Sequence, residues 1–153
     1  MINLIIDSDN VNKIRISLKR AGKSEIGGIL MAEHVGVNEF LIREITVHKK
    51  GAFASFIRKI EDVAGTLHAF FKNNEHRYNR FNYIGEWHSH PSFELSPSHK
   101  DNSSMLEIIQ DESVGANFVV LVIVKLDGSG RLLCSAHTYL PDGVRHRGII
   151  SYR

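Results

Sequence analysis

The stretch Gly85-Glu86-Trp87-His88-Ser89-His90-Pro91, followed shortly by Ser98-His99-Lys100-Asp101, decides how this chain is read. Asn82 to His88 reads as a strand. On a strand, residues i and i+2 point to the same face, about 7 Å apart, so the His88 and His90 rings project together. Pro91 ends the strand. Pro91 to Pro97 reads as a loop, because it holds two prolines and no apolar period. A helix is predicted from about Ser98 to Gln110, with Met105, Leu106, Ile108 and Ile109 turned inward. The loop can fold that helix back over the histidine face and bring Asp101, in its first turn, toward the two rings. Two imidazoles and a carboxylate are zinc donors, with Zn–N distances of about 2.0–2.1 Å. Three protein ligands leave a fourth position for water, as a catalytic site requires.

Each piece also has a structural alternative. A His-x-His pair on a strand is often plain alternation. Ser98-x-x-Asp101 fits a capping box, which needs no metal. Trp87 reads as core rather than a substrate platform, and Glu25 as a carboxylate at a strand start. Glu86 shares the strand face of His88. His99 is a substitute for Asp101 as third ligand, or a surface histidine on the first helical turn. It is the joint occurrence of these residues that favours a site.

Outward from this centre, Lys59 to Lys72 reads as a helix through Ile60, Val63, Ala64, Leu67, Phe70 and Phe71. Gly51 to Ile57 before it reads as a loop. Asp9 or Asn10 caps a first helix running to about Arg20, with Val11, Ile14, Ile16 and Leu18 as its apolar residues. Glu25 to Ala32 and Phe40 to Val47 read as strands, with His34 to Asn38 as the turn between them. Gly27 and Gly28 inside the first of these imply close approach of another backbone or a ligand. Phe118 to Leu126 and Arg131 to Leu140 form a hairpin across Asp127-Gly128-Ser129-Gly130. The order α-β-β-α-β-α-β-β predicts an α/β (α+β mixed) fold, a mixed sheet with helices packed on it.

The chain has 153 residues, which fits a single domain over 1–153. A net charge of +2, with basic residues in short scattered clusters, argues against nucleic-acid and membrane partners. The longest clean apolar run, Phe118 to Val124, is far below the roughly 20 residues of a membrane helix. The first residues, Met1 to Asp7, lack a basic start, and their apolar run is too short for a signal peptide. A lone Cys134 excludes an internal disulfide and makes a reducing cytoplasm the expected location. Cys134 sits in an apolar strand pattern and reads as structural rather than nucleophilic. His34, His48, His68, His76, His137 and His146 show no ligand spacing.

The string His88-x-His90, seven residues, Ser98, two residues, Asp101 resembles the signature of the JAMM (MPN-plus, Mov34/PAD-1) zinc metallopeptidases at every fixed position. Glu25-Ile26-Gly27-Gly28 looks like the Glu-x-Gly-Gly stretch that carries that family's catalytic glutamate. The resemblance covers nearly the whole chain. It implies the curved, cytidine-deaminase-like sheet of the family, with one Zn2+ ion on His88, His90 and Asp101. Glu25 would then be general base and acid, and Ser98 a donor to the oxyanion. The wording Gly-Glu-Trp-His-Ser-His-Pro is similar to small bacterial members, which occur beside ubiquitin-like conjugation genes, including antiphage operons and mobile elements. The implied activity is isopeptide or peptide hydrolysis after the tail of a ubiquitin-like protein. The short tract between the Asp101 helix and Phe118 leaves little room for the second substrate-gripping insertion of specialised deubiquitinases. The alternatives are a non-catalytic scaffold of the same fold, or a zinc hydrolase of a small amide or sulfur-carrier adduct.

Overall fold

The structure, a computed structural model, describes residues 1–49 and 61–153, with side chains from 64 onward in the second segment. Its elements are β1 (Asn3–Ile6), α1 (Ser8–Ala21), β2 (Ile26–Gly36), β3 (Glu39–Ile45), β4 (His48–Lys49) and α2 (Glu61–Asn73). Then come β5 (Phe81–Ser89), α3 (His99–Gln110), β6 (Val119–Leu126), β7 (Leu132–Tyr139), β8 (Arg145–Arg147) and β9 (Ile149–Tyr152). One mixed nine-stranded sheet runs β8-β7-β6-β5-β2-β3-β1-β9, with β4 paired to β2. Only Gly148 separates β8 from β9, which lie at opposite ends of that order. Gly148 N–H donates to Ala136 O at 2.9 Å and Ile149 N–H to Ile2 O at 2.9 Å, so the curved sheet nearly closes on itself.

β6 explains the layering. Val120, Val122 and Val124 face α1, whose Ile14 and Leu18 are buried there together with Trp87 and Leu4. Val119, Leu121 and Ile123 face α3 through Met105, Ile108 and Ile109. A strand buried on both faces reads as one apolar run, which is why Phe118 to Val124 shows no alternation. On the α3 side, a smaller cluster places Phe70 of α2 against Ile29, Met31 and Phe81. Burying each such large apolar side chain is worth roughly 1.5–3 kcal/mol.

The mixed α/β architecture stands as expected, with the β6–β7 hairpin and α3 close to the predicted limits. Several details differ. The cap of α1 is Asp7, whose Oδ1 accepts from Asn10 N–H at 2.9 Å, and not Asp9 or Asn10. Asn10 instead turns inward, with Nδ2 on Ile42 O at 3.2 Å. Ile16 is 51% exposed, since it lies two residues from Ile14 and so off the apolar stripe. Ala64 is exposed too, whereas Leu67, Phe70 and Phe71 pack. β2 runs on to Gly36, so the turn before β3 is shorter than His34 to Asn38. The loop at Gly51 to Ile57, the helix start at Lys59 and Ile60, and the Val63 side chain lie outside the described residues.

β1, β4, β8 and β9 were not anticipated. β4 has two residues and β8 has three, all of the latter exposed. β8 is the return of a tight hairpin from β7, whereas β1, β4 and β9 are held by ladder hydrogen bonds with neighbours distant in sequence. β1, for example, pairs in parallel with both β3 and β9.

Gly28 of β2 meets a backbone, as the sequence implied. Gly28 stands opposite Trp87, and a Cβ on it would fall 1.9 Å from Thr46 O. The same oxygen accepts from the Trp87 indole N–H at 2.8 Å. Gly28→Ala must push Thr46 away and break that bond. It should cost roughly 2–3 kcal/mol, read as a lower urea midpoint at unchanged slope. An unchanged midpoint would mean that the segment at Thr46, between β3 and β4, yields freely.

Candidate functional site

β5 and β6 are parallel and joined through α3, so the N-terminus of α3 lies at the carboxyl end of β5. Both histidines emerge at that end. Within β5 the register shifts between its pairings with Leu30 and Met31, near Gly85. Gly85 has φ +153°, and a Cβ there would fall 1.8 Å from Val120 O. Tyr83, Glu86 and Ile29 line the α3 side beyond this irregularity, while Ile84 and Trp87 pack in the opposite core.

Asp101 joins helix and strand. Ser98 caps α3: its Oγ accepts from Asp101 N–H at 3.1 Å, and Asp101 Oδ2 accepts from Ser98 N–H at 2.8 Å. The same carboxylate faces both rings, with Oδ1 2.9 Å from His88 Nδ1 and Oδ2 3.0 Å from His90 Nε2. The capping box and the His–His–Asp cluster are therefore one arrangement rather than rival readings.

The far nitrogen of each ring is also held. His90 Nδ1 lies 2.8 Å from Glu94 O, and His88 Nε2 lies 2.8 Å from Glu86 Oε2. His88 and His90 are each 7% exposed and Glu86 2%. Burial opposes charge on His88, but hydrogen bonds to Asp101 and Glu86, and their field, raise it to about 9. His90 is raised, chiefly by its bond to Asp101 and against burial, with Glu25 adding to the field. Burial acts to raise Asp101, yet its bonds to His88, His90 and Ser98 N–H hold it well below the usual carboxylate range.

Glu25, Ser98, His88, His90 and Asp101 line one cavity of about 560 Å³. Ile26 N–H donates to the buried Ser89 Oγ at 2.8 Å, which ties the residue after Glu25 to the strand segment between the two histidines. The mouth carries Phe93, 61% exposed and edge-on to His90, with Glu94 and Lys100. His99 is exposed and lies outside this lining. Glu86 also lies outside it, behind His88, so it is poorly placed as a rival base.

Among the described residues, no three His, Cys, Asp or Glu side chains have their donor atoms converged as metal ligands. The two rings are turned onto the Asp101 oxygens in hydrogen bonds. The donor set nonetheless fits a cation. Asp101 contacts both imidazoles, Glu86 contacts His88, and Glu25 lines the same cavity, so the two rings sit among carboxylates. Imidazole and carboxylate are the ligand types that suit zinc.

His137 had no ligand spacing in the sequence, yet it reaches the same side of the sheet, two residues from Ser135 on β7. The Ser135 hydroxyl donates to Leu95 O at 2.7 Å and therefore accepts from His137 Nε2–H at 2.9 Å. Lys125 Nζ reaches Phe93 O at 3.2 Å. Successive carbonyls of the loop between His90 and Ser98 are thus pinned. Tyr139 O–H donates to Asn102 Oδ1 at 2.6 Å, which anchors the first turn of α3 to β7. Cys134 is partly buried, and burial raises its thiol to about 11 against a bond to Tyr152, so it stays protonated as expected of a structural cysteine.

Residues 7–134 match the family described as prokaryotic homologs of the JAB domain. The chain belongs to this family, and so the JAMM/MPN-plus resemblance stands. A curated relative from Enterobacter hormaechei subsp. hoffmannii (strain UCI 50), named CD-NTase/cGAS isopeptidase, is 27% identical over 140 residues. That match spans 89% of this chain and 74% of that protein. Two solution structures share the fold. A protein from Desulfitobacterium hafniense has TM-score 0.63 at 14% identity, covering 98% of this chain and 92% of that one. One from Salinibacter ruber (strain DSM 13855) has TM-score 0.58 at 18% identity, covering 97% and 90%.

Burial, with Arg145 and Arg147 nearby, lowers His137 to about 4, below the 6.5 of an exposed ring. The folded protein keeps it neutral while the unfolded chain takes up a proton. The group therefore removes stability as pH falls from 6.5 to 4, by on the order of 3 kcal/mol in total. Relative to wild type, His137→Asn should gain stability across that window, measured by urea unfolding at each pH. A difference that stays constant from pH 7 to 4 would show that His137 is not held neutral.

Proposed function

We propose that this chain is a zinc-dependent isopeptidase that hydrolyses the amide bond after the C-terminal tail of a ubiquitin-like protein. The observation that carries the reading is the meeting of His88, His90 and Asp101 within hydrogen-bond distance at a cavity that Glu25 and Ser98 also line. Family membership and the relative named an isopeptidase support the same reaction. That relative's name further suggests a conjugate of a CD-NTase as the substrate class, which agrees with a role in antiphage conjugation systems.

His88, His90 and Asp101 would hold the zinc. A zinc ion there supplies a Lewis acid and lowers the pKa of water from 15.7 to roughly 7. The chain's own residues do the rest. Glu25, at the cavity wall before β2, takes the proton of the attacking water and passes it to the departing amine. Ser98 Oγ accepts Asp101 N–H, which leaves its own hydrogen to donate to the oxyanion. The pinned loop and the first turn of α3 keep Ser98 and Asp101 in place. An extended tail would enter past the exposed Phe93 and add to a sheet edge beside the cavity.

The test is a pair of variants assayed on ubiquitin-like fusions, with zinc measured by elemental analysis. Glu25→Gln should retain zinc and lose hydrolysis by ~10²–10⁴-fold or more. Asp101→Ala should lose zinc. If Glu25→Gln cleaves at the wild-type rate, Glu25 is not the base. Full zinc in Asp101→Ala removes Asp101 from the ligand set. Zinc uptake by wild type without hydrolysis of any conjugate or simple amide would favour a scaffold.

A further inference from the structure

Glu86 is out of place in its surroundings. Its cross-strand neighbours are Ile29 on β2 and Leu121 on β6, both fully buried, and Glu86 itself is 2% exposed. A carboxylate in such an apolar row costs several kcal/mol unless it is paired. Among the described residues it pairs with no lysine or arginine. Its partner is His88, with Oε2 2.8 Å from Nε2. A β-branched side chain would fill this position at less cost, so packing does not account for the glutamate.

The two rings show a common design. His90 has an acceptor at its far nitrogen, the Glu94 carbonyl at 2.8 Å, and turns its other nitrogen to Asp101. His88 has an acceptor at its far nitrogen, the Glu86 carboxylate, and turns its other nitrogen to the same Asp101. In each case an acceptor takes the N–H on one side, and the nitrogen on the other side, whose proton is here shared with Asp101, offers a lone pair once a cation displaces that proton. The difference is one of strength: His90 rests on a neutral carbonyl, His88 on a buried charge. A carboxylate behind a histidine fixes the ring's orientation and tautomer and raises its basicity.

We infer that Glu86 is a positioning residue for His88: its buried carboxylate holds the Nε2–H and so presents Nδ1, beside Asp101 and His90 Nε2, as a ligand for a divalent cation. The inference rests on the zinc reading above and adds a residue to it. Glu86 does not touch substrate. Its contribution is to metal affinity through the His88 ring.

The experiment measures zinc affinity by competition with a coloured chelator, alongside the melting temperature of the metal-free proteins, in wild type, Glu86→Gln, Glu86→Leu and His88→Ala. Glu86→Leu should bind zinc about 10–100-fold more weakly, as loss of such a partner typically does. Glu86→Gln keeps an acceptor without the charge and should fall between Leu and wild type. Metal-free Glu86→Leu, which leaves the buried His88 Nε2–H without its acceptor, should melt below wild type, and Glu86→Gln, which keeps an acceptor, closer to it. His88→Ala should bind zinc poorly whatever occupies position 86. If wild type binds zinc, His88→Ala does not, and both Glu86 variants match wild type, the positioning role is overturned and the zinc site stands. Lower melting temperatures with unchanged zinc affinity would give Glu86 a structural role and overturn the inference equally. If wild type itself takes up no zinc, the functional reading fails and this inference falls with it.

Discussion

One carboxylate holds the centre of this molecule together. Asp101 closes the first turn of α3 by accepting Ser98 N–H and faces both imidazoles that β5 projects. A negative group is favoured at a helix N-terminus, where unpaired N–H groups and the helix dipole are positive. The same charge is favoured beside two rings that take protons readily. Helix start and donor cluster therefore stabilise each other, and neither could shift without disturbing the other.

The rest of the structure serves to hold that meeting point. The parallel β5–β6 pair places the start of α3 over the carboxyl end of β5. The loop between them is fastened through the carbonyls of Phe93, Glu94 and Leu95 to Lys125, His90 and Ser135. Ser89 ties β5 to the start of β2 and so sets Glu25 at the cavity wall. Beneath all this, α1 on one face and α2 and α3 on the other bury the sheet. The precision of a few side chains thus depends on a core that has few ways to rearrange.

Charge explains why the polar cluster is kept inside at all. Three carboxylates and two imidazoles in a mostly apolar setting are expensive unless positive charge is supplied. In the chain alone the imidazoles supply it: against burial, His88 is raised by Asp101 and Glu86, and Asp101 is depressed by His88 and His90. His137 moves the opposite way, because burial disfavours its charge and Arg145 and Arg147 add to that, with no carboxylate among the described residues bonded to the ring to offset them. Within one side of the sheet, then, histidines are set to different states by which charges the neighbouring strands contribute.

Local pattern carried much of this in the sequence alone. The alternation around His88 and His90, the Pro91 stop, the Ser98–Asp101 cap, the apolar run of β6 and the Asp127–Gly130 turn each act over a few residues, and so they were legible; the five residues proposed for the site stand out by type and spacing, and the fold brings them to one cavity. Gly28 announced a close backbone or ligand, though not that Thr46 was its neighbour. What tertiary structure alone decided depends on partners far apart in the chain. The short strands β1 and β9 exist through ladders across the sheet. Ile16 is exposed because helix geometry turns it from the core. His137 and Ser135 matter because β7 passes under the loop that holds Ser98. Among the described residues Glu86 has His88 as its single hydrogen-bond partner, because Ile29 and Leu121 close around it. Periodicity encodes which face a residue takes, whereas contact between distant segments is settled only when the whole chain packs.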